Sequence, residues 1–226
     1  MVVKKPVRVA PSMMCADFLH LADDLRVLEG GGADFLHVDI MDGHYVPNFT
    51  LGPDFCRALA RCSHLPLDIH LMVENPDAHI EAFATIPGAT VSFHPEASRH
   101  PHRTLSLIRS FGADCGIAVD PSMPLSAIDE LLPFVRRVCI MTVNPGYAGQ
   151  KLVPTTIAKI AALSRVIADR VLVVDIEADG NVSWDNIPVM VAAGADILVA
   201  GSSSLFDGAA GLLDNMRRIL ELLSRD

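Results

Sequence analysis

The chain has 226 residues, half of them hydrophobic and few of them aromatic, and carries a formal net charge of −9. That length buries one α/β domain of ordinary size, read here as a single domain over residues 1–226. The charge argues against general nucleic-acid binding but leaves an anionic substrate open, because backbone dipoles capture phosphate inside acidic proteins.

Short apolar runs rich in β-branched residues alternate with longer segments of helical periodicity. Strands are predicted at 7–12, 34–40, 67–72, 90–94, 115–119, 136–143, 171–177 and 196–201. The helices predicted to follow them are 18–30, 54–60, 76–84, 103–111, 125–131, 156–168, 184–193 and 209–223. Gly-Ala-Asp recurs at 32–34, 112–114 and 194–196, each time just before a strand. Glycine is the expected helix stop there, and the echo marks a repeated helix–turn–strand unit. Eight β/α units in this length fit an α/β fold of the (β/α)8 TIM-barrel type. A doubly wound sheet is the competitor, and the lack of GxGxxG after the first strand counts against it.

In such a barrel the chemistry sits at the C-terminal strand ends. Ser12, His37, Asp39, His70, His94, Glu96, Asn144, Asp179 and Ser202 all fall there. Residues two apart on a strand share a face, so His37 projects with Asp39, and Asp68 with His70. His37, Asp39, His70 and Asp179 form a mixed nitrogen and oxygen set suited to a divalent first-row metal. Asp68 is placed to orient His70 from behind. Asp179 also reads as a plain turn residue in Ala178-Asp179-Gly180-Asn181. Met41, Met72 and Met141 read either as core filler or as an apolar collar around the reacting atoms.

Three loops are candidate anion sites or ordinary turns: Asn144-Pro145-Gly146-Tyr147-Ala148-Gly149-Gln150, Asp179-Gly180-Asn181 and Gly201-Ser202-Ser203. Cys15 is read as a small buried filler and Lys151 as a solvated lysine. His20, His44, His64, His79, His100 and His102 are read as surface residues, and Asp175 and Glu177 as part of their strand. The five cysteines are odd in number without CxxC spacing, which reads as reduced thiols in a cytoplasmic protein. No secretory signal and no membrane span is expected.

Ala10-Pro11-Ser12, HVDIMDGHYVPN at 37–48, DIHLM at 68–72, MTVNPGYAGQ at 141–150 and ADILVAGS at 195–202 resemble, in order and over nearly the whole chain, the ribulose-phosphate 3-epimerases. The resemblance implies an isomerase on a barrel of the ribulose-phosphate-binding type, inverting C3 of a small ketose phosphate through an enediolate. It implies one divalent metal ion (zinc, iron(II), cobalt or manganese) on His37, Asp39, His70 and Asp179, with Asp39 and Asp179 as paired acid and base. Ser12, His70, Gly146, Tyr147, Ala148, Gly149, Gly180, Asn181, Gly201 and Ser202 would hold the sugar phosphate.

The chain departs from the family's usual pattern at Asn181, where a second glycine is usual, at Tyr147-Ala148, where Phe-Gly is usual, and at Cys15, where serine is usual. Met14-Cys15, Phe93-His94-Pro95-Glu96 and Ala148-Gly149-Gln150 look more like the allulose-6-phosphate 3-epimerase branch. The substrate pair is therefore ribulose 5-phosphate and xylulose 5-phosphate, or allulose 6-phosphate and fructose 6-phosphate, with a lean to the latter.

Other readings are a phosphate-binding barrel decarboxylase, which would want a lysine where Met41 stands, a metal hydrolase, and a non-catalytic sugar-phosphate sensor. No nucleic-acid or membrane partner is expected. A homo-oligomer stays open, since the last helix's apolar stripe (Leu212, Leu213, Met216, Ile219, Leu220, Leu223) is equally explained by burial on the barrel.

Overall fold

Strands and helices alternate along most of the chain, in a computed structural model that describes residues 6–224. The order is β1 (Arg8–Pro11), α1 (Leu21–Gly30), β2 (Leu36–Asp42), β3 (Phe49–Thr50), α2 (Pro53–Cys62), β4 (Leu67–Met72), α3 (Ile80–Ala84), β5 (Thr90–Phe93), α4 (Pro101–Ser110), β6 (Asp114–Val119), β7 (Arg137–Met141), α5 (Thr155–Asp169), β8 (Asp175–Asp179), α6 (Asn186–Ala193), β9 (Ile197–Ala200) and α7 (Leu212–Leu223). One sheet runs β1-β9-β8-β7-β6-β5-β4-β2-β3. All its pairings are parallel except that of β2 with the two-residue β3, which the sequence reading did not anticipate. A parallel bridge between Ser12 and His37 joins the two ends of the curl. Strands following one another around a closing ring make the predicted α/β barrel; a doubly wound sheet would reverse direction midway.

The pleat separates two interiors. Val38, Ile40, Ile69, Leu71, Val138, Ile140, Ile176 and Leu198 point outward into the apolar layer between strands and helices. The intervening residues, namely His37, Asp39, Met41, Asp68, His70, Met72, Arg137, Cys139, Met141, Glu177 and Asp179, form the other row of each strand. That row is polar and sulfur-rich, so the barrel axis carries chemistry while the outer layer carries most of the hydrophobic stabilisation.

The recurring Gly-Ala-Asp unit has a mechanical basis. Gly32 (φ +91) and Gly194 (φ +107) take the left-handed turn that ends α1 and α6. Ala33 N–H then donates to Leu28 O and Ala195 N–H to Met190 O. The aspartates accept a strand amide each, Asp34 from Val9 and Asp196 from Ile176, both at 2.8 Å.

Three predicted elements differ. Residues 125–131 form no α-helix; the segment is two 3-10 turns, Leu125–Ala127 and Leu132–Phe134, with i to i+3 bonds from Ile128 N–H to Leu125 O and from Phe134 N–H to Leu131 O. Pro124 and Pro133 supply no amide and restrict the residue before each. The 3-10 turns still bury Ile128 and Leu132, which explains the helix-like apolar spacing. Residues 76–84 split at His79 into a 3-10 turn (Pro76–Ala78) and the short α3. Residues 171–174 belong to the turn after α5, with Val171 at φ +53 and both Val171 and Val173 exposed; β8 starts only at Asp175. The stripe of α7 buries Met216 and Ile219 against the barrel. No helix among the described residues is long and apolar enough to cross a membrane, and the five cysteines are free.

Candidate active site

Register assembles the site. The β2–β4 ladder sets His37 opposite Asp68 and Asp39 opposite His70. Both pairs share the inward face, so their side chains meet at the C-terminal end of the barrel. Asp39 Oδ1 lies 3.2 Å from His37 Nε2 and 3.2 Å from His70 Nδ1. Asp179, at the end of β8, places Oδ2 at 3.8 Å from the first of these nitrogens and 3.6 Å from the second. The four ligand atoms all lie within 4.8 Å of one another. Ser12, held by the bridge that closes the barrel, donates its hydroxyl to Asp39 Oδ2 at 3.0 Å. Thus Ser12, His37, Asp39, His70 and Asp179 are brought together as the sequence led us to expect.

One predicted contact is corrected. Asp68 does not orient His70; it accepts the Nδ1–H of His37 at 2.6 Å. The reason is register, since Asp68 stands on the His37 rung. The second nitrogen of His70 meets His94 instead, Nε2 to Nε2 at 3.0 Å.

Burial and charge oppose each other throughout. Burial disfavours a His37 cation, yet Asp39 and Asp68 on its two sides raise its pKa well above the ordinary value. For His70 the carboxylates of Asp179 and Asp39 likewise overcome burial and push the imidazole up to about 9. Burial would raise Asp39, but the facing His37 and His70 hold it far below the usual carboxylate range. Beneath the site Arg137, itself buried, pairs with Asp68 and lies 3.5 Å from Glu177, its guanidinium over the Phe35 ring. Burial, reinforced by Asp68, pushes Glu177 up to about 8.

The cleft above this floor holds about 570 Å³, including its open mouth. Ser12, Asp39, Gly146, Tyr147, Ala148, Gly149, Asp179, Gly180, Asn181, Gly201 and Ser202 line it, all of them expected site residues. Met41, Met72 and Met141 line it too, as the collar reading requires, together with Met14 and Cys15. Ser203, Gly180 and Asn181 donate no backbone amide to a carbonyl among the described residues, while the Ser202 amide faces the Cys15 sulfur. Such amides at strand ends suit an anion. Burial raises the Cys15 thiol, which faces the cleft as a neutral group. His20, His44, His64, His79, His100 and His102 are exposed, as expected.

The sequence reading missed the group behind His70. His94 Nδ1 lies 3.2 Å from Asp120 Oδ1 and 3.5 Å from Glu96 Oε1. The Tyr45 ring packs on His94 at 4.7 Å between centroids, and its hydroxyl donates to Glu96 at 2.8 Å. His94 stood among the strand-end polar residues, and its place two residues beyond Ser92, the rung partner of His70, was the available signal. Arg137 was legible as a lone cation on the inward parity of β7.

The Ribulose-phosphate 3 epimerase family matches residues 8–206. "Ribulose-phosphate 3-epimerase 1" of Cupriavidus necator is 43% identical over 204 residues, covering 88% of this chain and 85% of the relative. Ribulose-phosphate 3-epimerase of Bacillus subtilis is 43% identical over 87% of this chain and 91% of its own length. That of Escherichia coli strain K12 is 39% identical over 98% of this chain and 100% of its own. Among solved structures, a mutant tryptophan synthase alpha-subunit from Pyrococcus furiosus superposes with TM-score 0.69 at 15% identity, over 98% of this chain and 100% of that one. Phosphoribosyl anthranilate isomerase from Thermococcus kodakaraensis does so with TM-score 0.66 at 12% identity, over 97% and 100%. At such identities these two speak to the fold alone.

Proposed function

The chain belongs to the ribulose-phosphate 3-epimerase family, an isomerase family acting on sugar phosphates, and from that premise we propose a metal-dependent ketose-phosphate 3-epimerase that inverts C3 with Asp39 and Asp179 as its acid and base. One observation carries this reading. Two carboxylates, from β2 and from β8, address the same pair of imidazole nitrogens beneath an anion-suited cleft.

The donor set fits a divalent cation. His37 Nε2, His70 Nδ1, Asp39 and Asp179 supply two nitrogens and two oxygens, and Asp68 holds the other His37 nitrogen, the usual support for a metal-ligating imidazole. Asp39, Asp68 and Asp179 raise both imidazoles, and the same carboxylates that favour positive charge on those rings favour a cation between them. Zinc, iron(II), cobalt and manganese all suit these donors. When bound, the cation supplies Lewis-acid polarisation of the sugar's C2 carbonyl.

The chain's residues do the rest. The C3 proton is α to C2, so its removal leaves a planar enediolate. Asp39, ionised and oriented by Ser12, takes the proton on one face. Asp179 returns a proton on the other, and the two exchange roles in reverse. Met41, Met72 and Met141 exclude water from the reacting carbons. Amides at Gly146–Gly149, Gly180–Asn181 and Gly201–Ser202 fix the phosphate, so that C3 stays between the carboxylates.

For the substrate we favour the six-carbon pair, D-allulose 6-phosphate and D-fructose 6-phosphate, over ribulose 5-phosphate and xylulose 5-phosphate. The support is Cys15, Ala148 and Asn181 lining the cleft where the family's usual residues differ. A coupled assay of both ketose phosphates on metal-loaded protein decides it. Preference for the hexulose is expected; preference for the pentulose reverses the substrate choice, and turnover of neither overturns the epimerase reading. Release of inorganic phosphate in the same assay would reveal a hydrolase.

A further inference from the structure

Asn181 stands where side chains seldom go. Gly180 and Asn181 are consecutive left-handed residues, at φ +107 and φ +47. Asparagine tolerates that region better than most residues, but something must hold it there beside an open cleft. Three contacts do so. The Thr142 hydroxyl donates to Gly180 O, so the trans peptide sends the Asn181 N–H the opposite way. Asn186, the first residue of α6, donates its amide to both Asn181 O at 2.9 Å and Asn181 Oδ1 at 2.8 Å. Asn181 Nδ2 in turn donates to Ser203 Oγ at 3.3 Å. The loop after β8 is thereby tied to the loop after β9, and Asn181's side chain is occupied by protein partners.

We infer that Asn186 is a positioning residue for the anion end of the cleft. It locks Asn181 in the left-handed conformation, and through Asn181 and Ser203 it makes the two strand-end loops one rigid cradle for a phosphate. Asn186 does not line the cleft; it acts on the ligand through Asn181. This rests on the reading of these loops as the phosphate site. It goes beyond that reading by naming what replaces the freedom of the family's usual second glycine: a side-chain clamp anchored in the next helix.

The test uses the full-length, metal-loaded protein, with inorganic phosphate as probe in isothermal titration and as competitor of turnover. Asn186→Ala and the near-isosteric Asn186→Leu differ in packing and share the loss of the amide donor. Both are expected to raise the phosphate Kd and the sugar-phosphate KM by about 5- to 10-fold. Both should leave kcat within about twofold and metal affinity unchanged, a split that general destabilisation does not produce. Phosphate binding by both variants at the parent affinity overturns the inference and leaves the phosphate site standing. A loss confined to Asn186→Ala overturns it in favour of packing. A parent protein that fails to bind inorganic phosphate in competition with the sugar phosphate removes the phosphate-site reading itself, and the clamp's role with it.

Discussion

His70 Nε2 lies 3.0 Å from His94 Nε2, so one ring donates and the other accepts. If His70 Nδ1 is to face a cation, its Nε2 carries the proton and His94 accepts. His94 Nδ1 then lies 3.2 Å from Asp120 Oδ1, an electrostatic contact without hydrogen-bond geometry. His94 thus holds the His70 ring from outside the site through this one hydrogen bond, as Asp68 holds His37. Replacing His94 by alanine is expected to weaken divalent-metal affinity about 10- to 100-fold while inorganic phosphate still binds. Chelator-competition titration measures it. Parent-like metal affinity would mean that packing alone aims His70.

The two-face assignment makes an isotope prediction. With metal at saturation, Asp39→Asn and Asp179→Asn should each lower kcat/KM for inversion by about 10²- to 10⁴-fold. Each variant keeps one carboxylate, which can still exchange the C3 hydrogen of the epimer it faces. Incubation in D2O followed by NMR should therefore show exchange without inversion, in opposite epimers for the two variants. Exchange of the same epimer in both would sink the assignment of one acid to each face.

Much of this site was readable from spacing because a β-strand has a period of two. Once His37-x-Asp39 and Asp68-x-His70 are on strands, shared faces follow, and the strand-end rule puts them together. Which aspartate serves which histidine was not readable, because that depends on the β2–β4 register and a shift by one rung changes every partner. The link from His70 to Asp120 spans three strands and was hidden for the same reason. The missing helix at 125–131 and the late start of β8 failed for local reasons. Apolar spacing at Leu125, Ile128 and Leu132 suits a 3-10 turn as well as an α-helix, and the valines at 171 and 173 look like a strand while lying in an exposed turn. Asn181 departs from the family pattern in the sequence, but its engagement with Asn186 depends on how the β8 loop turns into α6.

Gly180 is constrained twice. At φ +107 a side chain is strained, and a Cβ would sit 2.4 Å from Val143 Cγ2. Gly180→Ala is expected to cost about 1–3 kcal/mol in urea unfolding and to weaken phosphate binding. Adding Val143→Ala removes the side-chain clash but leaves the backbone strain and a 3.0 Å approach to the Val143 amide nitrogen, so, measured against Val143→Ala alone, only part of the stability should return. Unfolding of Gly180→Ala at the parent midpoint would show that the turn can relax, and a double variant as stable as Val143→Ala alone would assign the whole effect to the side-chain clash.

Glu177 makes a pH prediction with a definite sign. Its ordinary value is 4.5, and burial with Asp68 beside it raises the folded value to about 8. The carboxyl is thus neutral when folded and ionised when unfolded between those limits. A group raised on folding contributes stability that is complete below the lower value and is lost as pH climbs through the upper one. Glutamine mimics the neutral acid and does not titrate. In chelator-treated protein, Glu177→Gln should therefore gain on the parent as pH rises from 4.5 to about 8, by on the order of a few kcal/mol, and the gap should level off above that. Urea midpoints at several pH values across the window read this directly. A gap that stays flat would mean that Glu177 is already ionised in the folded protein, with Arg137, 3.5 Å away, balancing Glu177 and Asp68 together.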